Sequence, residues 1–218
     1  MAISPARTNR TTDPMDVPDV VVERLPLYVR VLASFEERGI ERVSSEQLGS
    51  QLHMTPAQIR KDLSYFGRFG KQGRDYNVKA LALRLREILG LDRSWNACLV
   101  GVGRLGRAII SYPGFAPEGF KIVSAFDMNP AVVGTTVDGI SVDAISEIKP
   151  VVERLGIAIG IVAVPATAAQ QVIDCLVEAG IGAILNYAPI SAHAPGKVKI
   201  KNIDPVMSLQ SMTYYLKT

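Results

Sequence analysis

Cysteine, histidine and long apolar runs are all scarce in this chain of 218 residues. Its two cysteines, Cys98 and Cys175, stand outside any CxxC or metal-ligand spacing, which excludes a disulfide-stapled scaffold and predicts two reduced core thiols. No apolar stretch approaches the roughly 20 residues of a spanning helix, and the start lacks a signal-type apolar core, so the expected compartment is the cytosol. Only His53 and His193 are present, and no Tyr-x-x-x-Lys occurs, so a proton relay of the kind dehydrogenases use is missing. What remains is an ordinary globular composition, 48% hydrophobic and 21% charged. Its length exceeds the common domain size of roughly 100–150 residues.

The net charge of +3 is unevenly placed. The excess lies before residue 95, where Arg60, Lys61, Arg68, Lys71, Arg74, Lys79, Arg84 and Arg86 face only Asp62 and Asp75 across residues 60–86. Such a patch attracts a polyanion and displaces its counterions, although a merely solvated face has the same composition. The pattern around it sharpens the reading. Leu25, Val29, Leu32 and Phe35 predict a first helix, with Pro26 in its opening turn and Gly39 beyond its end. Ser44 with Gln47, and Thr55 with Gln58, are Ser/Thr-x-x-Gln pairs that open two short helices, the second with Pro56 at its first position. Only His53 and Met54 separate them, which predicts a helix-turn-helix. The second helix, Pro56 to Phe66, presents Gln58, Arg60, Lys61, Ser64 and Tyr65, groups that a major groove can engage. The run after Gly67 reads as a basic hairpin, a wing whose Lys71 and Arg74 lie along phosphate or in the minor groove, although a plain turn shares the pattern. Asn77 then caps a fourth helix with Val78, Leu81, Leu85 and Ile88 inward.

From Ala97 onward, strand-like and helix-like segments alternate, the signature of an α/β domain with a parallel sheet covered on both faces. Strands are expected at 97–101, 121–126, 157–164, 182–186 and 198–203, and helices at 104–112 and 167–179. Gly101-Val102-Gly103-Arg104-Leu105-Gly106 sits where the first strand turns into the first helix. In a dinucleotide site the first glycine permits the turn, the second admits the pyrophosphate and the third lets helix pack on strand. The second strand ends in Asp127, placed to accept from a ribose diol and to repel a 2′-phosphate, so NAD(H) is favoured over NADP(H). A ligand-free turn, or a coenzyme A site, would share the glycines. Pro165 with Ala166, and Asn186 with Tyr187, follow strands; they either frame the nicotinamide end or are plain loop punctuation. Asp204 caps a terminal helix whose Val206, Leu209, Thr213 and Leu216 stripe must be buried somewhere, on its own sheet or on a second subunit. The expected divisions are thus an arm over 1–21, a winged helix-turn-helix domain over 22–90, a linker over 91–96, a Rossmann-like NAD(H)-binding domain over 97–203 and a terminal helix over 204–218.

With these residues in view, the chain over about 22–218 resembles the Rex family of bacterial redox-sensing transcriptional repressors. The resemblance rests on Ser44–Gly49, Arg60–Gly67, Gly101–Ala108 with Tyr112-Pro113-Gly114-Phe115, and Phe126-Asp127. It implies a homodimer in which the terminal helix is exchanged between subunits. It also implies binding to operator DNA, competition of NAD+ and NADH for one site, and release of the operator as NADH rises. A signalling network of the family maps onto Arg30, Tyr112 and Asp204, all present here. Two other classes stay open on the residues alone: an NAD-dependent oxidoreductase with an accessory basic domain, and a coenzyme A-responsive regulator. The missing catalytic pair counts against the first and Asp127 against the second, so no enzymatic activity is expected.

Overall fold

Residues 25, 29, 32 and 35 share one side of helix α1 (Asp19–Glu37), and all four are buried. The computed structural model describes residues 17–67, 69 and 75–216, which fall in two units, Met1–Asp92 and Arg93–Thr218. α1 begins before the expected start. Val21, one turn ahead of Leu25, continues the same apolar face and is buried, and Asp19 lies favourably in the first turn. The arm expected over 1–21 therefore loses its last three residues to the helix, while residues 1–16 lie outside the described residues. Pro26, expected in the opening turn, is instead inside the helix, tolerated on its exposed side.

The first unit continues as β1 (Arg42–Ser44), α2 (Ser45–Leu52), α3 (Pro56–Ser64), β2 (Asp75–Asn77) and α4 (Val78–Ile88). Ser44 and Gln47 close a full capping box at α2, and the Asn77 side chain accepts from Ala80 N at α4. The turn between α2 and α3 puts His53 at φ 54°, and the carbonyl of Met54 lies where a Cβ on residue 49 would stand, so glycine is required at Gly49. Leu48, Ile59, Leu63 and Leu85 pack with the α1 face in one core. β2 pairs antiparallel with β1, a three-residue strand too short to show alternation in the sequence. The tip of the expected wing, with Lys71 and Arg74, lies outside the described residues.

In the second unit seven strands run β5-β6-β4-β3-β7-β8-β9: β3 (Trp95–Val100), β4 (Phe120–Asp127), β5 (Thr136–Val137), β6 (Ile140–Ala144), β7 (Ile159–Val162), β8 (Ala183–Asn186) and β9 (Lys199–Asn202). All pairings are parallel except β5 with β6. Side chains of β3 alternate between two cores, Ala97 and Leu99 on one face and Cys98 and Val100 on the other, so the sheet is buried on both sides. Helices α5 (Arg104–Ile110), α6 (Ile148–Leu155), α7 (Ala166–Glu178) and α8 (Pro205–Thr213) complete the unit. β3 borders both β4 and β7, and this reversal of strand order opens a crevice at the carboxyl ends of the strands.

Three expectations change here. The linker over 91–96 ends at Arg93–Ser94, because Trp95 N donates to Gly119 O as the first link of the sheet and the Arg93 guanidinium lies 4.2 Å from the Trp95 ring centre. β5 and β6 were not foreseen, although Asp138-Gly139 between short apolar alternations is a strong hairpin signal, realised here with both residues at positive φ. The rule of a helix between every pair of strands fails three times, since β4, β5 and β6 follow one another without a helix and an irregular run of chain joins β8 to β9.

Candidate functional site

Gly101 adopts φ +100°, and a Cβ there would meet the Ala163 carbonyl oxygen at 2.5 Å. A Cβ on Gly106 would collide with the Gly101 carbonyl oxygen, so these two glycines are demanded by backbone packing. Gly103 differs, because an added Cβ would meet nothing within 4 Å. Packing therefore does not account for the middle glycine, and the open space in front of it is where a phosphate would come close to the backbone.

Asp127, at the end of β4, faces this turn. Its Oδ2 accepts from Val102 N at 2.7 Å and its Oδ1 from Asn129 N at 2.8 Å. The carboxylate thus ties the glycine turn to the neighbouring strand, a role the sequence did not suggest, and each oxygen keeps acceptor capacity for a further donor. Between turn and strand lies a cavity of about 450 Å³, walled by Gly101, Val102, Gly103, Asp127 and Pro165. Its wall also includes residues that sequence reasoning missed: Met128, Asn129, Val132, Ile145 and one stripe of α7, namely Ala168, Gln171, Val172 and Cys175. The spacing of that stripe, three and four residues apart, was the signal available for it.

Other expected contacts lie off the cavity wall. Arg104 and Leu105 are exposed in the first turn of α5, and Ala166 begins α7. Asn186 is fully buried; its Nδ2 donates to Ala188 O and Asn202 Oδ1, and its Oδ1 accepts from Ala188 N. Its side chain holds the loop after β8 in shape, a structural role beside the ligand contact expected of it. Tyr187 packs half-buried against the core under α5. Tyr112 is 57% exposed, its ring edge-on to Phe115 at 5.1 Å and lying where a Cβ on Gly114 would stand. Asp204 caps α8 by accepting from Val206 N, and Arg30 is exposed on α1.

The two thiols differ sharply. Burial in the sheet pushes the Cys98 thiol up to about 12, whereas Cys175 is half-buried on the cavity wall. A small alkylating reagent near neutral pH is expected to modify Cys175 and spare Cys98. Saturating NADH should slow that reaction at least several-fold, as mass spectrometry of the quenched protein would show. Equal rates with and without NADH would remove Cys175 from the ligand's footprint.

In the first unit, Lys61 and Ser64 are exposed on α3 and Tyr65 is half-buried at its end. Arg60 donates to Ser45 Oγ at 2.8 Å and lies 3.7 Å from Glu46. Gln58 does not return to Thr55 as a capping box would require; its Nε2 donates to Asp62 Oδ1 at 2.6 Å. Asp62, counted in the sequence as one of two acids diluting a basic patch, is fully buried and paired with Arg24. Burial pushes its carboxyl upward, but the bonds from Arg24, Gln58 and Tyr28 outweigh burial and hold it below the ordinary 3.8. A carboxyl depressed by folding stabilises the native state above its unfolded value, and that contribution is lost as pH falls through the lower folded value. Urea unfolding should therefore show a steeper loss of stability below about pH 4 in the wild type than in Asp62→Asn. Parallel profiles would mean that Asp62 does not carry this linkage.

Residues 16–64 match a family model described as "Putative DNA-binding protein N-terminus", and residues 92–190 one described as "CoA binding domain". The chain is 51% identical over 199 residues to the redox-sensing transcriptional repressor Rex of Roseiflexus sp., covering 91% of this chain and 90% of that one. To the protein of that name from Desulfitobacterium hafniense it is 40% identical over 204 residues, covering 94% and 97%. Among solved structures, RSP in complex with beta-NAD+ and operator DNA is similar at a TM-score of 0.86 and 38% identity, with 92% of each chain covered. RSP in complex with beta-NADH matches at 0.82 and 37%, covering 92% of this chain and 94% of that one.

Proposed function

This chain belongs to the Rex family of redox-sensing transcriptional repressors, and from that premise we propose that it binds operator DNA as a homodimer and releases it when NADH fills the cavity at Gly101–Gly106. The observation that carries the reading is Gly103. A glycine that no packing contact requires, at the mouth of a cavity closed on its other side by Asp127, suits a dinucleotide pyrophosphate with the ribose diol on the carboxylate. Val132, Ile145, Val172 and Cys175 offer an apolar slot for the adenine. RSP, the similar solved protein, has been seen with NAD+ together with operator DNA and with NADH.

The reading of the DNA places the start of α3 in the major groove, with Gln58, Arg60, Lys61, Ser64 and Tyr65 toward bases and phosphates and the wing residues Lys71 and Arg74 along the backbone. Dimerisation is supported by α8 and the turn after it, where Val206, Met207, Leu209, Met212, Tyr214, Tyr215 and Leu216 are all exposed. Exchange of this helix with a second copy would cover that apolar surface and provide the two-fold symmetry that a palindromic operator matches. Arg30, Tyr112 and Asp204 would form the signalling contacts, with Tyr112 near a nicotinamide that is cationic when oxidised and neutral when reduced. Driving the dimer from 1:99 to 99:1 requires NADH to favour the released form by roughly 5.5 kcal/mol, or under about 3 kcal/mol per site. No helix among the described residues is long and apolar enough to cross a membrane, in keeping with a cytosolic regulator.

The test is a fluorescence-anisotropy titration of the bound operator with NADH, NAD+ and coenzyme A in turn. NADH should release the duplex at concentrations where NAD+ and coenzyme A do not. DNA that stays bound at saturating NADH would overturn the gating, and release by coenzyme A would favour the coenzyme A-responsive alternative. Steady turnover of a substrate with bound nucleotide would favour the oxidoreductase.

A further inference from the structure

Asp62 is the one charged side chain among the described residues that is fully buried. It lies on the inner side of α3 and accepts four hydrogen bonds. Oδ1 takes Arg24 Nη2 at 2.7 Å and Gln58 Nε2 at 2.6 Å, and Oδ2 takes Arg24 Nε at 2.7 Å and Tyr28 OH at 2.9 Å. A buried ion pair is seldom a net gain in stability over well-packed apolar residues, so its presence on this helix calls for another use. Gln58 shows one. It lies one turn before Asp62, half-buried, in the first turn of α3, where a recognition helix reaches base edges.

We propose that Asp62 sets which face of the Gln58 amide is shown to DNA, making Gln58 a reader of base amino groups. The inference rests on the DNA-binding function proposed above. An unconstrained glutamine amide can turn either its oxygen or its nitrogen outward. A carboxylate only accepts, so the side of Gln58 that meets Asp62 has to be the NH2, and Oε1 is turned away from it. The two Ser/Thr-x-x-Gln pairs give an internal contrast. Gln47 uses its Oε1 to accept from Ser44 N and closes its capping box, while Gln58 is drawn to Asp62 and leaves Thr55 with only the backbone half of the motif. An outward Oε1 pairs with adenine N6 or cytosine N4, the two amino groups of the major groove, and opposes guanine O6 and thymine O4. Asp62 touches no base; it acts through Gln58 as a positioning residue.

The experiment selects duplexes from a randomised pool with the full chain, free of NADH, and reads base preference position by position. Wild type should prefer adenine or cytosine at one position of each half-site by roughly tenfold over guanine or thymine. Gln58→Leu should erase that preference and leave the other positions unchanged. Gln58→Glu, which can only accept, should keep it at reduced overall affinity, whereas a shift to guanine or thymine would mean that wild-type Gln58 donates. Asp62→Asn can offer its own NH2 to Gln58, so it should broaden the position to all four bases; an unchanged preference in the folded variant would overturn the role of Asp62. Because Gln58→Leu adds no charge and leaves the Arg24 and Tyr28 bonds to Asp62 in place, the acceptor role of Gln58 stays testable if Asp62→Asn does not fold. A wild-type chain that enriches no duplex would instead overturn the DNA-binding reading itself.

Discussion

Gly103→Ala is expected to fold as the wild type does, bind DNA as tightly, and keep it at NADH concentrations that release the wild type. The added methyl meets no protein atom within 4 Å, so thermal unfolding should shift very little. The same methyl occupies the space through which a pyrophosphate approaches backbone N–H groups, where a few tenths of an ångström separate a hydrogen bond from a clash. NADH affinity should fall at least tenfold, about 1.4 kcal/mol or more. Gly106→Ala is the control with the opposite signature, since its methyl runs into the Gly101 carbonyl and should damage folding along with binding. A Gly103→Ala protein with normal NADH affinity would move the phosphate site away from this turn.

Asp127→Asn should weaken NADH by roughly ten- to a hundredfold, the scale of a hydrogen bond to a charged acceptor, while NADPH loses much less. Two effects separate the nucleotides. The ribose diol of NADH loses an anionic acceptor, whereas the 2′-phosphate of NADPH is freed from a nearby negative charge. The substitution also disturbs the turn, because an asparagine presents only one carbonyl oxygen to Val102 N and Asn129 N, the two groups the carboxylate now holds. That loosening would weaken both nucleotides alike, so the ratio of their affinities is the quantity to measure by calorimetry. Equal losses would leave Asp127 as a strut of the turn and nothing more.

Much of the architecture was legible because it depends on local periodicity and on side chains acting within a turn of themselves. The apolar faces of α1, α3 and α4, the caps at Ser44, Thr55, Asn77 and Asp204, and the strand-glycine-helix passage at Gly101 need only neighbours three or four residues away. β1 and β5 escaped because strands of two or three residues carry no period. The start of α1 was hidden because Val17, Val20 and Val22 beside Val21 blur its helical period. The cavity wall on α7 was readable as a stripe but not as a lining, since nothing local says that the stripe shares a cavity with Asp127.

Residue pattern alone determined the helix-turn-helix, the parallel sheet and the glycine turn between β3 and α5, since each follows from chain geometry and short-range hydrogen bonding. Folding in three dimensions decided the rest. It showed that Gly101 and Gly106 are forced by packing while Gly103 is left open, that Asp127, expected as a ribose acceptor, also braces the turn, and that Asn186 supports a loop. It also turned Asp62 from a surface acid into the buried anchor of Arg24, Tyr28 and Gln58. Those outcomes hinge on groups separated by tens of residues along the chain, whose approach is set by how whole elements stack, and no local rule encodes that.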